Sequence, residues 1–279
     1  MSKTKKALTA LLLVAALLLP MLGLRALEPV RATAAREGVE LPILMYHQLT
    51  KDARLVNEFT VTVDQFAKDL DALAARGYTA VRMEQVLAYV EQGKPLPEKP
   101  VIISFDDGLE TFSVYAAPLL KAKGWVGVFA VIGSETDKFS AVDDHHLKYS
   151  SCTWAQLKEL SDAGTGEIVS HTWDLHKNKN GRKGAAKIAG ESEAAYRSVL
   201  AQDDESQRAA FAHAGLPAPT VYVYPYGEYS AASPKILQEL GYRAAFICDA
   251  RMNTLRPGDT DALMALKRYI RKPNCPLPI

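Results

Sequence analysis

The chain lacks a charge excess of either sign. Its 33 basic and 32 acidic side chains leave a net charge of +1, which predicts no nucleic-acid partner. Cysteine is scarce as well: Cys152, Cys248 and Cys275 show no C-x-x-C spacing that would mark a metal centre. An odd number of thiols cannot pair off completely within one chain, so no disulfide framework is expected. Internal repeats and Ser/Gly linkers between halves are also missing, so nothing divides the chain into modules. What is present is apolar content of 48%, ample for a sizeable core, in 279 residues that allow one large domain or two small ones.

The amino terminus carries a long uncharged stretch. Lys3, Lys5 and Lys6 precede a mostly apolar run from Ala7 to Leu24. A basic start followed by such a run is an export signal whose basic end stays in the cytoplasm. At roughly 18 residues the run is long for a signal peptide and just long enough to span a bilayer. Ala32-Thr33-Ala34 offers an A-x-A cleavage site rather far downstream, while Pro20 and Gly23 offer a helix break before an earlier cut. Residues 1–27 are read as a signal peptide or N-terminal membrane anchor and residues 28–40 as a polar, alanine-rich linker. Residues 41–279 then form an exported domain, extracellular or at the cell surface.

Beyond the linker, strand and helix signals alternate. Leu41 to His47 reads as a buried strand, and Thr62 caps a helix carrying Phe66, Leu70 and Leu73 and stopped by Gly77. A short strand at Tyr78–Val81 and a helix over Met83–Gln92 follow. Val101-Ile102-Ile103-Ser104-Phe105 is a fully buried strand of mostly β-branched residues, and a helix over Thr111–Lys123 and a strand over Trp125–Ile132 come next. Residues 133–151 are irregular and polar, a long surface loop with a functional or lid role. Thr153 and Gln156 make a capping box for a helix ended by Gly164. Strands at Glu167–His171, Thr220–Tyr224, Tyr242–Cys248 and Leu266–Ile270 complete the set. Between them come a glycine-rich basic loop over Lys177–Gly190 and helices over Glu191–His213 and from Ser233-Pro234 to Gly241. Alternation of this kind means an α/β fold with a parallel sheet covered by helices. Seven or eight units favour a closed or nearly closed (β/α) barrel with long loops at its C-terminal face.

Candidate polar residues fall at the carboxyl ends of these strands. His47 ends the first, Asp106 and Asp107 the third, His171 the fifth, and Pro225-Tyr226-Gly227 the sixth. Barrels of this type carry their active sites on that face. Adjacent carboxylates at a strand end diverge, so one could hold a cation while the other handles a proton, and Gly108 lets the backbone turn. His171 and His176 are five apart, a spacing that separates them in a helix and puts them on opposite faces of a strand. They can share a metal only if the chain bends after His171. Two imidazoles and a carboxylate would then satisfy zinc-type coordination with positions left for water and substrate.

The segments Ser104-Phe105-Asp106-Asp107-Gly108, Ser170-His171-Thr172 with His176, and Tyr224-Pro225-Tyr226-Gly227 resemble the successive motifs of the polysaccharide deacetylase family. This is the NodB-homology group, carbohydrate esterase family four. The resemblance covers most of Leu41–Arg271 and implies a single distorted (β/α) barrel. It also implies cleavage of N-acetyl groups from sugars with zinc, or with nickel, cobalt or iron as alternatives. By position, Asp107, His171 and His176 match the metal ligands, Asp106 the catalytic base, and the backbone N–H of Tyr226 an oxyanion donor.

Two departures follow. Many members carry a late Leu-x-His segment whose histidine protonates the leaving amine, whereas this chain has no histidine after His213. Its early Leu44-Met45-Tyr46-His47 resembles instead the circularly permuted branch that deacetylates poly-β-1,6-N-acetylglucosamine in biofilm matrices, where the early histidine is the acid. Many members also place an arginine just before the Pro-Tyr motif to orient the base. Tyr222-Val223-Tyr224 stand there, and Arg268 on the last strand is the candidate substitute. The expected partner is an N-acetylated polysaccharide, with the membrane added if the start is uncleaved and no protein partner. Peptidoglycan or chitin-oligomer deacetylation, acetyl-xylan esterase action and a carbohydrate-binding pseudoenzyme are the rival readings; retention of Asp106, Asp107, His171 and His176 speaks against the last. His145 and His146 are read as solvated in an acidic loop, and His213 as a helix-end residue favoured by the dipole. Trp173 either stacks on a sugar or caps the barrel core. The basic loop Lys177–Lys187 is a solvated face or a contact for anionic polymer.

Overall fold

Short, apolar, β-branched segments become the strands of a parallel sheet. These are β1 (Ile43–Tyr46), β2 (Thr79–Ala80), β3 (Pro100–Phe105), β4 (Gly127–Val131), β5 (Gly166–Ser170), β6 (Val221–Val223), β7 (Ala244–Phe246) and β8 (Tyr269–Ile270). They belong to a computed structural model that describes residues 38–142 and 144–279. The segments read as signal and most of the linker lie outside the described residues, and Glu40–Ile279 form one compact unit. Among the described residues no helix is long and apolar enough to cross a membrane.

The helices are α1 (Val63–Ala75), α2 (Met83–Gln92), α3 (Ala117–Ala122), α4 (Gly133–Ser140), α5 (Trp154–Asp162), α6 (Glu193–His213) and α7 (Ser233–Glu239). Local chemistry sets their ends. Thr62 accepts from the Gln65 amide to start α1, and Thr153 with Gln156 closes a reciprocal capping box on α5. Phe66, Leu70 and Leu73 line the buried face of α1.

The sheet runs β7-β6-β5-β4-β3-β1-β8, with β2 paired to the start of β3. All these pairings are parallel. Leu266 bridges to Phe246 in β7, and three residues later β8 pairs with β1. The final segment thus touches both ends of the curled sheet, giving a distorted α/β barrel whose last seam is one bridge wide. Tyr46, Phe66, Phe105, Phe112 and Phe129 stack edge-to-face and face-to-face beneath α1 and α3. A second core of Tyr196, Tyr222, Tyr224, Leu237 and Tyr242 lies under α6 and α7. Arg271, just past β8, makes a buried bidentate ion pair with Asp69 of α1, and the Tyr46 hydroxyl donates to the same carboxylate.

Register then fixes the site. Tyr46 lies opposite Phe105, so the next residues, His47 and Asp106, emerge side by side at the carboxyl rim. Val131 and Tyr222 both lie opposite Ser170, which puts His171 beside Val223.

Three expectations need correction. Residues 133–151 do not form one irregular loop, because α4 occupies the first part and buries Gly133, Thr136 and Phe139 on one face. Its single large apolar residue, Phe139, is too little periodicity to read from sequence. The helix expected over Thr111–Lys123 opens as a π-helix over Phe112–Ala116 before α3 begins. The loop Lys177–Gly190 contains a hairpin, in which Asn178–Lys179 pairs antiparallel with Arg182–Lys183 across Asn180-Gly181. Both turn residues have positive φ (54° and 78°), the conformation that favours Asn-Gly in a two-residue turn.

Candidate active site at the carboxyl rim

All six residues of β3 are buried, so the chain arrives at the rim rigidly. It leaves through Asp107, whose φ of 70° is uncommon for a residue with a side chain. That turn sends the two neighbouring carboxylates to different partners. Asp106 is buried and accepts two hydrogen bonds from Arg268, at 2.6 Å (Nη1 to Oδ1) and 2.9 Å (Nη2 to Oδ2). Arg268 is itself fully buried, donates to the Ile247 carbonyl and lies over the Phe246 ring. A planar, bidentate pair of this kind fixes orientation as well as charge. Burial alone would raise the Asp106 pKa, but the Arg268 guanidinium, helped by His171 and His47, outweighs it and holds the carboxyl well below the ordinary range. The tether of Asp106 therefore comes from Arg268, the residue just before β8.

Asp107 faces the histidines. Its Oδ1 lies 3.5 Å from His171 Nε2 and 3.4 Å from His176 Nε2. The bend required after His171 exists. Thr172 takes a φ of 74°, and its hydroxyl accepts from the Leu175 amide, turning the chain so that the imidazole centroids come within 4.9 Å. His171 Nδ1–H donates to the Val223 carbonyl at 2.8 Å, which leaves Nε2 as the lone-pair nitrogen facing Asp107. Burial disfavours charge on His171, yet the Asp107 and Asp106 carboxylates raise its pKa; burial and His171 lower that of His176.

One donor atom from each of Asp107, His171 and His176 lies within 4.8 Å of the others, a grouping suited to one cation. Asp107 Oδ1 is buried and has no hydrogen-bond partner. An orphaned carboxylate oxygen between two imidazole nitrogens fits a divalent metal with mixed N and O preference, zinc-like in donor set.

The remaining expected residues close the same cleft, a cavity of about 390 Å³ lined by Met45, His47, Phe59, Tyr226, Cys248 and Arg268, among others. His47 packs its ring against Phe59 (5.0 Å between centroids), and its buried Nδ1 has no partner. Tyr226 has a φ of 59° and rests its ring on His176 at 4.4 Å. Its turn engages the amides of Gly227 and Glu228 with the carbonyls of Tyr224 and Pro225. Trp173, half-buried within the histidine loop, lays its ring against Gly133. His145 is not simply solvated, because its ring pairs with the buried Glu110, and neither it nor His146 belongs to the metal grouping. Phe59 and Cys248 escaped the sequence reading. Phe59 lies in an irregular segment with no periodicity or motif, whereas Cys248 ends the strand expected over Tyr242–Cys248, and that carboxyl-end position was the signal available.

Comparison with known proteins bears on the whole arrangement. The E. coli K12 poly-β-1,6-N-acetyl-D-glucosamine N-deacetylase is 26% identical over 228 residues, covering 74% of this chain and 34% of that protein. A putative polysaccharide deacetylase of Bacillus subtilis, YxkH, is 29% identical over 204 residues, covering 73% of this chain and 63% of its own. The chain thus spans about a third of the first of these relatives. Among solved structures, IcaB from Ammonifex degensii superposes with a TM-score of 0.68 at 26% identity, covering 85% of this chain and 93% of that one. A de-N-acetylase from Aggregatibacter actinomycetemcomitans shares the fold, with a TM-score of 0.69, 24% identity and coverage of 84% and 95%. The polysaccharide deacetylase pattern matches residues 93–245, more than half of the chain. That segment contains Asp106, Asp107, His171, His176 and Tyr226, while His47 and Arg268 reach the same cleft from outside it, so the chain belongs to the polysaccharide deacetylase family.

Proposed function

We propose that this chain is a metal-dependent hydrolase that removes N-acetyl groups from N-acetylglucosamine units of an exported polysaccharide, poly-β-1,6-N-acetylglucosamine being the favoured polymer. The observation that carries the reading is the division of labour between adjacent carboxylates: Asp107 turned to two imidazoles, Asp106 to a buried guanidinium. The polymer is suggested by the relatives so named and by a histidine reaching the cleft from the first strand of the sheet. Export, expected from residues 1–27, would place the enzyme with such a substrate.

Asp107, His171 and His176 would hold the cation, which supplies Lewis acidity toward the acetyl carbonyl and the attacking water. Asp106, ionised and oriented by Arg268, accepts the water proton. The amide N–H of Tyr226 donates a hydrogen bond to the carbonyl oxygen as it gains negative charge. His47 gives a proton to the amine nitrogen as the C–N bond breaks, so the products are acetate and a free amino sugar. The test is acetate release from poly-N-acetylglucosamine, chitin oligomers and peptidoglycan side by side, with and without chelator. Asp106→Asn should retain metal and lose about 10²–10⁴-fold in turnover. Chelator-insensitive release, or near-normal turnover in Asp106→Asn with metal bound, would refute the reading.

A further inference from the structure

The bend after His171 must be held by something, because its backbone is strained and its outer face is irregular. Two helices, α4 and α6, hold it through three sets of hydrogen bonds. The amides of Gly133 and Ser134, at the start of α4, donate to the carbonyls of Thr172 (3.1 Å) and Trp173 (2.9 Å). Gln207 of α6 donates to the Val131 carbonyl (3.2 Å), which also receives the His171 amide (2.9 Å). One turn earlier on the same face of α6, the Asp203 carboxylate accepts the two amides at the apex of the bend, Trp173 N on Oδ2 and Asp174 N on Oδ1, each at 2.8 Å. The packing around this grip is tight. A Cβ on Gly133 would lie 2.1 Å from Gln207 Oε1 and 2.4 Å from the Trp173 ring, so only glycine admits the approach.

We infer that Asp203 is a positioning residue for the metal loop: by fixing the Trp173 and Asp174 amides it sets the bend that carries His176 back beside His171. The inference rests on the proposed metal site. Neither amide has another acceptor in the bend. A backbone N–H left without a partner is costly, so removing the carboxylate favours a different path for residues 173–176. His171 would stay in place, held by its own amide and by Val223. His176, three residues past Trp173, would not. A carboxylate suits the task because both of its oxygens accept. Asparagine can accept only one amide and sets its own N–H₂ against the other.

The test is titration of the full chain, freed of metal, with Co²⁺, whose visible spectrum reports ligand number and geometry. Wild type, Asp203→Asn, Asp203→Ala and His171→Ala are compared, with far-UV circular dichroism and thermal melting of each metal-free protein. Loss of an outer-sphere partner typically weakens metal binding about 10–100-fold. Asp203→Ala is expected in that range with an altered Co²⁺ spectrum, and Asp203→Asn, which keeps one acceptor, to fall between it and wild type. Asp203→Asn also serves if the alanine variant fails to fold. Unchanged affinity and spectrum alongside a lowered melting temperature would make Asp203 merely structural and overturn the inference while sparing the metal site. Wild type that binds no Co²⁺, or His171→Ala that binds it equally well, would overturn the metal site itself.

Discussion

Asp106 owes its state to a contest between burial and Arg268, and the contest has consequences that can be measured. With the guanidinium winning, the folded carboxyl is held below its unfolded value of about 3.9. The sign follows: the pair contributes stability above that pH and loses it as pH falls through the lower folded value. Arg268→Met leaves the carboxylate buried without its partner. Removing one member of a buried pair typically costs about 3–5 kcal/mol. Burial would then raise the Asp106 pKa, so the acid limb of kcat/KM should move to higher pH. An unmoved acid limb in a folded variant would mean that Asp106 does not act as the base. His47 makes a separate claim. An amine leaves poorly unless protonated, whereas an activated aryl ester needs no proton on its leaving group. His47→Ala should therefore lose most turnover on amides and much less on an aryl acetate, with metal retained. Equal losses on both substrates would leave His47 as packing against Phe59.

Helix α6 grips the site through the Asp203 side chain, and that grip has an electrostatic cost. Burial pushes the Asp203 carboxyl up to about 6, although the Asp174 and Trp173 amides oppose the rise. Because the folded pKa is raised, the folded chain retains a proton that the unfolded chain releases between about pH 4 and 6, so stability falls as pH rises through that window. The two-unit rise corresponds to at most roughly 3 kcal/mol. Asp203→Asn cannot ionise. Urea unfolding of wild type and variant from pH 4 to 7 should show their difference shifting in favour of the variant across the window; a constant difference would show that Asp203 does not titrate there. This helix also marks where sequence stopped being informative. Its span was legible from start to end within two residues, as was α2 to the residue, because caps, glycines and apolar spacing are local signals. The same held for the strand ends that carry His47, Asp106, Asp107 and His171. The Asp203 contact was not legible, since its partners are backbone amides that no side-chain pattern records. Arg268 could be proposed as a tether but not established, because the pairing of β8 with β1 that delivers it to Asp106 is a tertiary register. Helix α4 was missed for want of apolar residues, and the hairpin at Asn180-Gly181 because its strands are polar and only two residues long.

The cleft is assembled from distant parts of the chain: His47 follows β1, the two aspartates follow β3, the histidine loop follows β5, and Arg268 precedes β8 at the seam. A cation held by Asp107, His171 and His176 would cross-link two of these rims in the folded state only. Binding to the folded state alone stabilises by about 4 kcal/mol when free metal exceeds Kd a thousandfold. For a domain of this size each kcal/mol is worth about 2–4 °C in melting temperature, so saturating Zn²⁺ should raise it by roughly 8–16 °C over the chelated protein. His176→Ala and Asp107→Ala should lose most of that increment. A control far from the cation separates site from scaffold. Arg271→Met breaks the buried pair with Asp69 that ties the end of the sheet to α1, so it should lower the melting temperature with and without metal. The increment itself should survive, because Asp69 and Arg271 contribute no donor to the cation. If Arg271→Met abolished the increment as completely as His176→Ala, the shift would be reporting general loosening of the barrel, and the three-residue metal site would lose its thermodynamic support.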